Sequence, residues 1–255
     1  MAETGQCTLR PLGGAGRARR LCRALRRVGG RLLPGPRRTP FTLGYLVILL
    51  GTSLYARLGD PVSVREAVDA SSSDVWHLVH DPLRVLALSG LWAAGPLWSP
   101  YLLAFAVTLA PLERRIGALR TLQVFATGHV LATVASELPI GLQVLSGRLG
   151  PSALHRVDVG VSYGVLTCLG ALSGLLPRRL RVAVPVGAAA VLLYRSLTGD
   201  DPVTAVGHPT ALLAGLLCWF PVRRWAALRT ARREARWAAA LASPAEPAGE
   251  PVRPE

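Results

Sequence analysis

Lysine is absent from this 255-residue chain, and charge of any kind is scarce. Only 17% of residues are charged, against roughly 25% in soluble domains, which argues against a soluble globular surface. All 29 basic residues are therefore arginine, and they outnumber 15 acidic ones. Arginine-only usage beside abundant Ala, Gly, Leu and Pro matches a GC-rich bacterial coding bias. Cysteine is sparse too: Cys7, Cys22, Cys168 and Cys218 have neither metal nor disulfide spacing and read as free thiols. No H-E-x-x-H segment is present, which excludes the helical zinc-protease pattern. The Gly-Asp pairs at 59–60 and 199–200 fall in polar loops, which speaks against paired intramembrane aspartates. No A-x-A cleavage pattern follows the N-terminal basic stretch, so a cleavable signal peptide is not expected. No cofactor and no metal is expected. His77, His80 and Asp81 (HLVHD) are the nearest approach to a metal cluster, and they read as a solvated loop.

What the chain has in quantity is apolar sequence, 51% of its residues, gathered in blocks. Several blocks approach the ~20 residues that carry a helix across hydrocarbon. Six are expected to span: about 41–58, 98–112, 118–138, 158–176, 182–198 and 203–221. The stretch 83–98 is broken by Gly90, Gly95 and Pro96 and reads as a partly embedded loop with short helices. Irregular backbone at that depth needs protein around it. The expected organisation is a basic tail over 1–38, a membrane domain over 39–222, and a basic then Pro/Glu-rich tail over 223–255.

The net charge of +14 would suggest nucleic acid in a soluble protein, but no recognition motif accompanies it. Instead the arginines cluster at both ends and in the 113–120 and 178–181 turns, while loops 59–82 and 199–202 are acidic. Arg148 and Arg156 are a mild exception. The alternation predicts that both termini are cytoplasmic. Leu21, Leu25, Val28 and Leu32 recur at helical spacing among arginines, as in a helix on an anionic surface; Gly29 and Gly30 interrupt them, and a solvated tail fits equally. Trp225 and Trp237 are candidate interface anchors.

Polar residues inside spans are functional candidates. Ser162 lies four residues past Asp158 and His208 six past Pro202. At ~1.5 Å per residue both fall roughly 6–9 Å below the same boundary. A serine and a histidine at equal depth are the minimum for an activated nucleophile, with imidazole taking the hydroxyl proton. Gly160 and Gly164 bracket Ser162, and Ala211 and Gly215 follow His208, as in closely packed membrane helices. Ordinary small-residue packing accounts for the same spacing. His129 reads as a helix–helix hydrogen-bond partner, Glu113 as a structural loop anchor, and Arg195 as a snorkelling side chain.

Three segments in order carry a resemblance. LERRIGALRTL (112–122) resembles an E-x-x-x-G turn after a second span, with Glu113 and Gly117 in place. GVSYGVLTCLGAL (160–172) is similar to a G-x-S segment on a fourth span. GHPTALLAG (207–215) resembles a histidine-led sixth span. Together, over roughly residues 41–221, the chain resembles the rhomboid family of intramembrane serine proteases. That resemblance implies an all-α, six-helix membrane bundle, with Ser162 as nucleophile and His208 as base, cutting single-span membrane proteins in a bacterial plasma membrane. Tyr163 stands where the family has a glycine, and Leu166 where it has an aromatic packing on the histidine. YLLAF (101–105) stands where it has an H-x-x-x-N pair; Tyr101 or Trp98 are candidate substitutes. The alternative is an inactive rhomboid-like protein that binds membrane-protein clients. A small transporter finds no support in an inverted repeat.

Overall fold

A computed structural model of the chain describes residues 34–93, 100–199 and 201–242. Cys7, Cys22, the arginines before 34, Trp98, the side chain of Tyr101 and the Pro/Glu-rich end lie outside the described residues. The elements, in order, are α1 Pro40–Leu58, α2 Pro61–Asp69, α3 Val75–His80, α4 Pro82–Ser89, α5 Pro100–Ile116, α6 Ala118–Leu145, a 3-10 turn Pro151–His155, α7 Ser162–Ser173, α8 Arg178–Thr198, α9 Pro202–Leu217 and α10 Trp219–Ala242. Each of the six expected apolar segments thus contains a helix among the described residues. Among the described residues, three helices, α1, α6 and α8, are long and apolar enough to cross a bilayer; α9 and α10, bent by 47°, make a fourth if they act as one. The sequence reading of six spans therefore exceeds what helix length and composition alone support. α7 has 12 residues, covering only about 18 Å, because residues 156–160 approach it without helical structure.

The starts of these helices are written in the sequence. Proline opens α1, α2, α4 and α9, where its missing N–H costs nothing. The carboxylates of Asp60, Asp74 and Asp201 cap α2, α3 and α9. α1 is capped from a distance. Glu113, 1% exposed, accepts bonds from Phe41 N at 2.9 Å, Thr42 N at 2.8 Å and Thr42 Oγ1 at 2.6 Å. A carboxylate at the positive end of a helix satisfies orphan amides and the macrodipole together. The anchor role expected of Glu113 thus has a definite partner, the first turn of α1. Four residues on, Gly117 takes φ +94° and ends α5, its N–H bonded to Glu113 O at 2.7 Å.

One apolar cluster joins α1, α5, α6 and α7, with Leu49, Phe105, Leu109, Phe125, Cys168 and Leu172 at its centre. Tyr45 stacks on Phe105 at 5.1 Å and tilts against Phe125 at 5.1 Å. α7 is the hub, packed on α5, α6 and α9. α8 lies at the periphery, with Pro185 its only buried residue. Its exposed valines and leucines suit a lipid-facing helix. α10 runs unbroken across position 222, so the last basic segment begins as helix. Within it Trp225 is half-buried and Trp237 is 72% exposed.

The loop between α1 and α5 folds onto the bundle through α2, α3 and α4. Tyr45 Oη donates to Gly90 O at 2.7 Å, and Thr52 Oγ1 donates to Leu91 O at 2.7 Å. His129, in α6, bonds Ser89 Oγ through Nε2 at 3.1 Å. Its partner is therefore this loop rather than another expected span. His77 bonds its own cap, Asp74, at 2.8 Å, while His80 stacks on Trp76 at 4.2 Å. These two histidines thus have local structural roles.

Candidate functional site

The backbone leading to Ser162 is held by the first loop. Gly160 N donates to Ser89 O at 2.9 Å, and Val161 N donates to Trp92 O at 3.0 Å. Just upstream, buried Ser72 and Ser73 grip Asp158. Asp158 N donates to Ser72 Oγ at 3.0 Å, and Ser73 N and Oγ both donate to Asp158 O, at 2.8 and 3.0 Å. The SSSD segment 71–74 thus positions the approach to Ser162, a role its polar composition did not reveal. In this loop position, burial pushes the Asp158 carboxyl up to about 6.

Ser162 is the first residue of α7. The sequence reading placed it inside a helix starting near 158; the helix starts four residues later. This has a chemical consequence. The first-turn amides of a helix have no acceptor within it, and in α7 that first turn begins with Ser162 itself. Gly160 lies in the approach, outside the helix. Gly164 faces the Phe125 ring of α6, so the two do not bracket Ser162 against α9.

Close approach of α7 and α9 depends on other small residues. A Cβ on Gly170 would meet Leu212 O at 2.7 Å, and one on Gly215 would collide with Thr167 O. Thr167 Oγ1 donates to Ala211 O at 2.9 Å across the same interface. Small residues and a polar cross-link are what two membrane helices need to approach this closely. Pro209 follows His208 and withholds the N–H that would ordinarily bond Ala205 O.

The outcome is direct contact between the two expected residues. Ser162 Oγ lies 3.0 Å from His208 Nε2, within range for a hydroxyl donating to an imidazole nitrogen. Both are half-buried and face a cavity of about 190 Å³ shared with Asp158, Tyr163, Thr204 and Arg195. Tyr163 stands edge-on to His208, ring centroids 5.4 Å apart. It is the aromatic neighbour that Leu166 does not supply. Arg195 borders the serine as well as sitting at the end of α8, so snorkelling is an incomplete account of it. Arg156 forms an ion pair with Asp201, linking the approach to α7 with the start of α9.

A serine–histidine contact on two tightly packed apolar helices has a counterpart at the level of sequence. A family model described as rhomboid-like protein matches residues 36–227. The chain belongs to the rhomboid-like family. It is a membrane protein of that family, with an all-helical fold. No curated protein and no solved structure matches it. The matched region runs from just before α1 into α10 and contains every residue of the site. Within this rhomboid-like framework, no asparagine is available as a donor near the serine, because the chain contains none. The residues lining the cavity that carry donor groups are Arg195, Thr204 and Tyr163.

Proposed function

We propose that this protein is an intramembrane serine endopeptidase that cuts single-span membrane proteins, with Ser162 as nucleophile and His208 as general base. The 3.0 Å contact between Ser162 Oγ and His208 Nε2 carries the reading. As Oγ attacks the scissile carbonyl carbon, Nε2 accepts its proton and a tetrahedral oxyanion forms. First-turn amides of α7 and the Arg195 guanidinium supply hydrogen-bond donors and positive charge on that side. Collapse of the intermediate breaks the C–N bond, and the imidazolium returns the proton to the leaving amine. Water entering through the cavity, deprotonated by His208, then hydrolyses the acyl-enzyme.

The proposed setting has six spans, with α5 and α7 crossing with the bundle's help, both termini cytoplasmic, and a bacterial plasma membrane. Arginine in the 113–120 and 178–181 turns supports that orientation. The short α7 suits a serine set below the membrane surface, reached from the opposite, acidic side.

The test is labelling of membranes with a fluorophosphonate probe, together with cleavage of a single-span reporter. Wild type should label and cleave, while Ser162→Ala and His208→Ala should do neither. A folded wild type that neither labels nor cleaves sinks the protease reading and leaves client binding, which YLLAF at 101–105 favours. Client capture should then survive Ser162→Ala.

A further inference from the structure

The turn between α5 and α6 carries a second cavity at the opposite end of the sequence pattern, on the arginine-rich face. It encloses about 530 Å³. Arg229, Arg232, Arg233 and Arg236 of α10 line it, at the i, i+3, i+4, i+7 spacing of one helix face, and Arg120 of α6 completes the ring. No Asp or Glu lines it. Two carboxylates lie close to it: Glu234, next to Arg233 in α10, is not part of the lining, and Glu113, whose charge also acts on Arg229, holds the first turn of α1. Five guanidinium groups share this cleft, where their mutual repulsion is destabilising without an anion.

The cleft is a built feature. Arg229 crosses directly over Gly117, where a Cβ would meet Nη1 at 2.5 Å. Arg120 is held over the Trp225 ring at 5.3 Å and donates to Trp225 O at 3.4 Å. Gly117 and Trp225 thus fix two of the five arginines. The cavity also borders the first turn of α6, a 28-residue helix with no side-chain cap, whose free amides and dipole favour an anion. Leu119, which lines the cavity, is 68% exposed, and Leu122, three residues on along α6, is 41% exposed.

We propose that this cleft binds a phosphate group, carried by an anionic phospholipid whose acyl chains lie along Leu119 and Leu122. Guanidinium forks match phosphate oxygens in pairs, and basic pockets between membrane helices on the arginine-rich side suit such headgroups. The exposed leucines assign the phosphate to a lipid. The site stands apart from the Ser162 cavity and independently of proteolysis.

The experiment uses the full chain, delipidated in a neutral detergent, with the thermal midpoint read against added ligand. The ligands are dioctanoyl phosphatidylglycerol, dioctanoyl phosphatidylcholine and inorganic phosphate. Two charge-matched variants accompany wild type, all their changes at exposed arginines: Arg233→Gln/Arg236→Gln in the cleft, and Arg178→Gln/Arg179→Gln on the same face but outside it. For wild type, phosphatidylglycerol should act at a concentration about tenfold or more below phosphatidylcholine, and the cleft variant should lose about tenfold of that preference. The Arg178/Arg179 variant should keep it. Equal response to the two lipids in wild type, or equal loss in both variants, overturns the site. Inorganic phosphate acting as strongly as phosphatidylglycerol overturns the lipid assignment and leaves a site for free phosphate.

Discussion

The Tyr163 ring meets the His208 ring at 77°, with centroids 5.4 Å apart, one residue after Ser162. Tyr163 is 4% exposed and lies over Gly207, where any side chain would collide with it. The ring therefore limits the rotamers of His208 and keeps Nε2 towards Ser162. In the proposed reaction it is a positioning residue. Tyr163→Ala should slow fluorophosphonate labelling by about 10- to 100-fold, since small misplacements of a reacting pair are costly. Tyr163→Phe should restore most of the rate, and the pH profile of labelling should move only in the Ala variant. Equal loss in Phe and Ala would assign the effect to the hydroxyl instead.

Arg195 brings positive charge to the serine cavity. If it assists the oxyanion, Arg195→Gln should lower turnover of a single-span reporter by about 10²-fold, the scale of one lost donor. The apparent affinity for reporter should change little. A change confined to affinity would place Arg195 on the substrate instead.

Glu113 accepts three bonds from the first turn of α1 while almost fully buried. Glu113→Gln retains the shape but loses charge and one acceptor. It should destabilise by about 2–3 kcal/mol, and Thr42→Val by about 1 kcal/mol. Thermal unfolding in one detergent compares them. The ranking matters more than the values, and a more damaging Thr42→Val would contradict it.

The α7–α9 interface should be intolerant at Gly170 and Gly215, where added atoms meet backbone. Gly170→Val should cost several kcal/mol, as overpacking does, and should abolish labelling by separating Ser162 from His208. Gly187→Val on α8, with nothing within 4 Å of its Cβ position, should label like wild type.

Asp158 gives a pH dependence of stability. Its carboxyl ionises near 6 in the folded chain, against an ordinary 3.8. Between those values the folded state holds a proton that the unfolded state has released. Stability from this group is therefore greatest below about 4, falls as pH rises to about 6, and is flat above. Asp158→Asn should flatten that slope and stabilise the protein at pH 7, by at most about 3 kcal/mol. Unfolding midpoints across pH 4 to 7 read it directly.

Much of this was legible in the sequence. Block hydropathy located all six apolar helices, because a backbone in lipid must satisfy itself and the helix does so locally. Proline and aspartate marked where several helices begin. Ser162 and His208 could be paired from their similar offsets past polar boundaries, although the offset of Ser162 runs through non-helical residues and not along a helix. The E-x-x-x-G spacing likewise announced a tight turn at Gly117.

Tertiary structure alone decided the rest. Where α7 starts depends on hydrogen bonds that Gly160 and Val161 donate to the loop carbonyls of Ser89 and Trp92, far away in sequence. Tyr163 reaches His208 because α7 and α9 touch at Gly170 and Gly215; spacing marked Gly215 but pointed to Gly160 and Gly164, not Gly170, on the facing helix. The partners of Glu113, the Ser72–Asp158 clamp and the five arginines around Gly117 are also pairings between distant segments. Apolar periodicity records which side chains avoid water. It does not record which polar group meets which, and that follows only from how the loops fold back and how closely the helices pack.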